Sequence, residues 1–155
     1  MDWFAKAFIR ASLAWLAVGV TLGVAMAVDP ALIVYRPVHV HVNLLGFVTM
    51  MIYGVAYHAI PRFVGRTVHS RAIAGWQWWL ANVGLAVLAA GFVLRGREVA
   101  WAIPVLGAGG TLAAVAAWLF AYNIWRTLDA PAPAPAPPPA TTRAPLPLAE
   151  PRGRR

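Results

Sequence analysis

Long apolar stretches alternate with short polar breaks along most of this chain. An α-helix rises about 1.5 Å per residue, so roughly 20 apolar residues are enough to cross the hydrocarbon layer of a bilayer. Each apolar stretch approaches or exceeds that length. The pattern therefore predicts transmembrane helices over residues 11–28, 38–60, 73–94 and 99–125.

Composition and the breaks between the stretches agree with this interpretation. Hydrophobic residues make up 61% of the chain and charged residues 12%, a balance that a soluble domain of this size could not hide from water. Asp29-Pro30 ends the first stretch, and Arg36-Pro37 precedes the second with proline near its first turn. Short breaks make consecutive helices antiparallel neighbours. We predict an all-α fold in which residues 1–128 form an integral membrane four-helix bundle.

The end of the chain has a different character. Residues 129–155 are dominated by alternating proline and alanine and finish in a basic cluster. Such a segment can neither form a helix nor bury a core. We predict a disordered, Pro/Ala-rich and basic C-terminal tail.

Lysine and arginine set the predicted orientation, because short loops that carry them stay in the cytoplasm. With the amino terminus inside, three basic residues lie outside, namely Arg36, Arg95 and Arg97. Seven lie in the cytoplasm, namely Lys6, Arg10, Arg62, Arg66, Arg71, Arg126 and Arg143. We therefore expect both termini to be cytoplasmic. The formal charge of +8 then reflects loops, tail and contact with lipid headgroups, and no nucleic-acid partner is expected.

The first stretch has a competing interpretation as a cleaved signal peptide. Lys6 and Arg10 precede an apolar run that ends in the small-residue pattern of residues 25–27. The run is long for a signal peptide, and Gly19 and Gly23 form a GxxxG pair that suits close helix packing. A membrane helix is the favoured interpretation.

Small and polar residues in the third and fourth helices indicate contacts between helices. The polar residues Gln77 and Asn82 are interpreted as interhelical hydrogen-bond partners. The small residues are interpreted as packing positions within the bundle, with self-association as the alternative. They are Gly84, Gly91, Gly107, Gly110 and Thr111.

Candidate chemistry concentrates in His39 and His41, which begin the second helix. Ionisable groups at membrane depth are costly and indicate function, and imidazole is the commonest metal ligand. The alternative is that both histidines cap the helix and contact headgroups. His58 is expected at the interface, and His69 in a solvated loop.

Helical phase separates the two candidate histidines. At about 100° per residue, His41 points almost opposite to His39, so one metal cannot easily bind both in a regular helix. His39 shares its stripe with polar residues and with glycines that would admit a flat ligand or another helix. That stripe comprises Asn43, Gly46, Met50, Tyr53, Gly54 and Tyr57.

Some chemistries are excluded by residues that the chain lacks. There is no cysteine, which removes covalent haem attachment through C-x-x-C-H and any thiolate cluster. Acidic residues number only five and none falls in the middle of a predicted helix, so a relay of membrane carboxylates is unsupported.

The segments RPVHVHVNLLG and GVAYHAIP resemble the second transmembrane helix of subunit I of haem-copper oxidases, especially cbb-type oxidases and nitric oxide reductases. The resemblance implies that a histidine near the outer face is an axial ligand of a haem b iron. That residue is His39 if the run from Arg36 is aligned, and His41 if the run through Asn43 is aligned. Arg36 is then the better-placed partner for the haem propionates. The remaining cofactor-facing positions would be Gly46, Tyr53, Gly54 and Tyr57.

The resemblance also sets limits on function. The chain has only four histidines and none in its third or fourth helix, so it is not expected to be a complete oxidase or reductase on its own. A second axial ligand would come from another copy or from a partner respiratory subunit. The implied function is a haem b protein of the bacterial inner membrane, serving electron transfer or the handling of nitric oxide or oxygen. The alternative is a non-haem membrane subunit, assembly factor or scaffold of a respiratory complex.

Overall fold

The chain folds into helices that are joined by short connections. The computed structural model describes residues 1–131. Within that part, four helices are long and apolar enough to cross a membrane, by length and composition. They are α1 (Trp3–Val28), α2 (Pro30–Phe63), α3 (Arg71–Gly96) and α4 (Ala102–Asp129). The all-α membrane architecture predicted from the sequence is confirmed, whereas residues 132–155, most of the predicted tail, lie outside the described residues.

The helices are longer than the apolar stretches that predicted them. Helix α2 begins at Pro30 and not near residue 38, and α1 begins at Trp3 and not near residue 11. Phe4 and Phe8 are fully buried there, and their rings pack against Tyr57 with centroid distances of 5.2 and 6.2 Å. The extra turns are held by this contact with α2. In the other direction, α4 begins at Ala102, three residues later than predicted.

Helix α2 changes its hydrogen-bonding pattern along its length. The Asp29 carboxylate accepts a hydrogen bond from the Ala31 amide at 2.9 Å and so caps its first turn. The Thr49 hydroxyl donates to the Leu44 carbonyl, five residues earlier, at 2.8 Å. Wide π-type turns are rare and often occur at functional sites. In order, α2 comprises a 3₁₀ turn (Pro30–Tyr35), an α-helical turn (Arg36–His41), a π-helical segment (Val42–Thr49) and a final α-helix (Met50–Phe63).

The helices pack around α2 and α3. Helix α1 packs along α2, and α4 makes its most extensive contact with α3. The antiparallel order defines two ends of the bundle. We call the end that carries Val28, Arg36 and Gly96 the histidine end, and the end that carries Arg62, Arg66 and Arg71 the arginine end.

Glycines bring α3 and α4 together. A Cβ atom on Gly84 would lie 2.8 Å from the Ala113 amide nitrogen, and one on Gly109 would lie 2.3 Å from the Leu88 amide nitrogen. Gly91 is similarly close to Leu106 on α4.

The prediction that small residues are packing positions within the bundle is confirmed for the glycines of α3, but it is wrong for Gly107 and Gly110 of α4. Added Cβ atoms on Gly107 and Gly110 would meet nothing within 4 Å among the described residues. Their interpretation as packing positions within the bundle is therefore wrong, because Gly109 faces α3 in their place.

Hydrogen bonds between side chains join the helices in the apolar interior. The Tyr57 hydroxyl on α2 donates to Gln77 Oε1 on α3 at 2.6 Å, and Asn123 Nδ2 on α4 donates to the Tyr57 hydroxyl at 3.2 Å. Nearer the middle of α3, Trp15 Nε1 donates to Asn82 Oδ1 at 3.1 Å. Pairing offsets the cost of burying polar groups. The predicted roles of Gln77 and Asn82 as interhelical partners are confirmed.

The substitution Gly109→Ala should destabilise the bundle by about 1–3 kcal/mol, the usual cost of overpacking a tight contact. Its methyl group would press on the Leu88 backbone. Gly110→Ala is the matched control, because its methyl group meets open space and alanine favours the helix. Unfolding in detergent followed by circular dichroism measures both variants. Equal stability of the two would contradict the described packing of α3 on α4.

Candidate functional site

His39 lies half-buried between α1 and α2, and its ring is held by backbone and side-chain groups. His39 Nδ1 is 2.9 Å from the Gly19 carbonyl oxygen on α1. A carbonyl oxygen only accepts, so Nδ1 carries the proton in this hydrogen bond. Asn43, one turn further along α2, donates from Nδ2 to the His39 carbonyl at 2.8 Å. In the neutral form of a ring with its proton on Nδ1, the lone pair lies on Nε2.

Two glycines of α1 make room for these side chains. A Cβ atom on Gly23 would lie 2.8 Å from His39 Cε1, and one on Gly19 would lie 2.5 Å from Asn43 Nδ2. The GxxxG pair therefore seats the polar residues of α2, a role that the sequence interpretation did not assign to it. A usable signal was present in the sequence, because His39 and Asn43 have the same four-residue spacing as Gly19 and Gly23 on the neighbouring antiparallel helix.

His41 has a separate environment that leads to the same tautomer. Its Nδ1 is 2.8 Å from the Pro37 carbonyl oxygen of its own helix, so Nδ1 again carries the proton. Its ring lies beside Phe92 of α3, with ring centroids 4.7 Å apart and an angle of 37° between the planes. The two imidazoles thus contact different helices, His39 on α1 and His41 on α3.

The other residues of the predicted stripe lie in the packed interior. Added Cβ atoms on Gly46 and Gly54 would lie 2.7 Å from Trp15 Cβ and Ile9 Cγ1 respectively, so α1 already occupies the space beside both glycines. Tyr53 is buried too, with its ring 4.5 Å from that of Phe120 and 5.5 Å from that of Phe8.

Distance along α2 also separates these residues from the histidines. Tyr57 is 18 residues beyond His39, or about 27 Å at the rise of an α-helix. The structure brings together only Arg36, His39, His41 and Asn43. Arg36 is exposed at the histidine end, within one turn of His39.

The two remaining histidines lie at the arginine end. His58 Nδ1 is 2.6 Å from Arg62 Nη1, one turn further along α2. His69 is exposed, with its ring 5.9 Å from that of Tyr122. Neither is near the other two histidines.

Residues 1–131 contain no group of three or more histidine or acidic side chains that could hold a bare metal ion. The histidine end offers single imidazoles, each with Nδ1 bound and Nε2 available. A single imidazole is the protein ligand that holds haem iron in several haem protein classes. His39 and His41 are therefore the candidates for a single axial imidazole ligand.

The chain matches a family model and several curated proteins. A family model described as "Cytochrome C and Quinol oxidase polypeptide I" matches residues 4–147. The chain is 30% identical over 115 residues to "Cytochrome c oxidase subunit 1" of Rhodobacter capsulatus. The match covers 58% of this chain and 22% of that protein. The chain is 28% identical over 117 residues to "Cbb3-type cytochrome c oxidase subunit CcoN1" of Stutzerimonas stutzeri. That match covers 59% of this chain and 25% of that protein. The chain thus spans about a quarter of the length of these curated relatives.

Nitrogen chemical shifts of ¹⁵N-labelled histidine test the described tautomers. In protein produced without haem, we expect the neutral imidazoles of His39 and His41 to be the tautomer with the proton on Nδ1, because both Nδ1 atoms face carbonyl oxygens. His69 is the control, since it is exposed and should show the usual mixture of tautomers. A proton on Nε2 of His39 would contradict the Gly19 hydrogen bond and would remove the free lone pair.

Proposed function

The chain belongs to the cytochrome c and quinol oxidase polypeptide I family, and from this premise we propose that it is a small haem b protein of the bacterial inner membrane. Its role would be respiratory electron transfer or the handling of nitric oxide or oxygen. The bacterial origin of the matched oxidase subunits supports the membrane assigned here.

The setting of the His39 ring is the observation that carries the proposal. Histidines that bind metals almost always donate their other ring N–H to a carbonyl, carboxylate or water, which fixes the ring and increases its basicity. The Gly19 carbonyl occupies that position for His39 and comes from a different helix. We assign His39 as the axial ligand, with His41 as the alternative because its Nδ1 is bound in the same way.

The residues around His39 would divide the work of holding the haem. His39 Nε2 would bind the iron, and Gly19 and Asn43 would keep the imidazole in position. Arg36, exposed within one turn, would pair its guanidinium group with a propionate. Bound haem would supply a one-electron redox centre, and the surrounding apolar helices would limit the access of water to it.

A second axial ligand would have to come from outside this chain. His39 and His41 lie against different helices, so a single iron cannot readily take both. We therefore propose that the second ligand comes from a second copy or from a partner respiratory subunit.

The proposed orientation places the histidine end outside and the arginine end in the cytoplasm. Arg62, Arg66 and Arg71 follow one another closely around the connection between α2 and α3. Short loops with such an excess of arginine stay in the cytoplasm. Both termini of the described part lie at the same end as these arginines.

Absorption spectra of the purified protein, expressed with haem supplied, test the proposal. We expect a Soret band in the wild-type protein, because His39 Nε2 is free to bind iron. His39→Ala should remove most of the band, His41→Ala should retain it, and His69→Ala is the control at the opposite end. Helical content measured by circular dichroism confirms that each variant is folded. A folded but colourless wild-type protein would reject the haem proposal and favour a non-haem subunit or scaffold, whereas loss of the band only in His41→Ala would move the ligand to His41.

A further inference from the structure

A polar cavity opens at the arginine end, on the far side of the bundle from His39. Its volume is about 490 Å³. The residues that line it come from the start of α1, the end of α2 and the connection to α3. They are Asp2, Tyr57, Pro61, Arg62, Arg66, Thr67, Val68 and Arg71.

The cavity carries an excess of positive charge. It contains three guanidinium groups and one carboxylate, which leaves two positive charges in excess. The carboxylate of Asp2 is 3.0 Å from Arg71 Nη1, and that arginine side chain remains 67% exposed. Within residues 1–131, Arg62 bonds only to its own helix, at the ring and carbonyl of His58. Both guanidinium groups therefore keep donors free for an anion.

Arg66 also has a hydrogen-bond donor without an acceptor in the described part of the chain, in a less exposed position. Its Nη1 donates to the carbonyl oxygens of Thr127 and Leu128 at the end of α4. Its Nε is buried and has no partner among residues 1–131. A buried donor without a partner is costly, and an acceptor that reached this atom would satisfy it.

An apolar groove lies directly beside the cavity. It has a volume of about 450 Å³ and is lined by Trp3, Arg71, Ala72, Gly75, Trp76 and Trp79. The three tryptophans are 52%, 68% and 56% exposed, respectively. Arg71 lines both spaces, and Asp2 and Trp3 are adjacent in the chain, so the cavity and the groove are neighbours.

We propose that the cavity and groove together bind one anionic phospholipid. Arginine donors match phosphate oxygens well, and basic pockets between membrane helices at the cytoplasmic side bind anionic headgroups. The phosphate lies among Arg62, Arg66 and Arg71, and an acyl chain follows the tryptophan groove. A free phosphate ester shares the headgroup chemistry but has no chain to occupy the groove.

This site is independent of the proposed haem function. It shares no residue with Arg36, His39 or Asn43 and lies at the other end of α2. The lipid could therefore be absent while haem binds, or present in a colourless protein, and the two proposals fail separately.

Titration of the full-length protein in detergent with phosphatidylglycerol tests the site, with the unfolding temperature as the readout. We expect stabilisation by phosphatidylglycerol, and little by phosphatidylcholine of the same chain length or by glycerol 3-phosphate. Arg62→Gln and Arg71→Gln should each weaken the apparent affinity roughly fivefold, which corresponds to the loss of one arginine near an anionic lipid. Arg126→Gln is the matched control, because it removes a positive charge at the same end but outside the cavity.

The outcomes separate the possibilities. Unchanged affinity in the Arg62→Gln/Arg71→Gln double variant would overturn the proposal. Equal stabilisation by glycerol 3-phosphate would show a phosphate pocket and would reject the lipid assignment. The apparent affinity of each variant is taken from the midpoint of its own titration. A general loss of stability is therefore not mistaken for a loss of binding. Trp76→Ala, which opens the groove without changing any charge, should weaken binding of the lipid and leave that of glycerol 3-phosphate unchanged.

Discussion

The Gly19 carbonyl can reach the His39 ring only because α1 lies against α2 without a side chain at Gly19 or Gly23. A backbone carbonyl inside a helix still has a second lone pair to offer. It can use that lone pair only if a donor from another helix comes within hydrogen-bond distance. In an apolar environment this bond is what allows an imidazole to lie between two helices in a defined tautomer. The orientation of Nε2, and with it the proposed haem ligation, depends on this contact.

At the arginine end of the bundle, polar groups also depend on hydrogen-bond partners from other helices. There, the Tyr57 hydroxyl on α2 links Gln77 on α3 to Asn123 on α4. These bonds hold the flanking helix α4 at the arginine end, where it contacts both α2 and α3. At the histidine end, the hydrogen bonds leave the lone pair of His39 Nε2 free. In the interior network, the Tyr57 hydroxyl both donates and accepts a hydrogen bond. The first arrangement suits a ligand, and the second suits stability.

The number and type of helices could be predicted from the sequence because a membrane helix satisfies its own backbone hydrogen bonds, so its length and apolarity are properties of a single segment. The early start of α1 could not be predicted from the sequence, because the burial of Phe4 and Phe8 depends on Tyr57 from another helix. The π-helical segment Val42–Thr49 also escaped prediction, because a uniform helical phase was assumed.

The candidate site was predictable in part. His39 and His41 stood out because ionisable groups in a membrane helix are rare, and their separation onto different faces followed from helical phase. The partners that define their chemistry, Gly19 and Phe92, lie on other helices, and no property of α2 alone indicates them. The same limit applies to Gly109, whose role depends on which face α4 turns to α3.

Pulsed electron paramagnetic resonance of the oxidised haem protein tests the central claim most directly, because it detects nitrogen atoms bound to the iron. In protein labelled with ¹⁵N only in histidine, the account predicts a strongly coupled ¹⁵N signal from an axial imidazole, which is lost together with most of the haem in His39→Ala. An iron signal without any coupled ¹⁵N from histidine would contradict ligation by this chain.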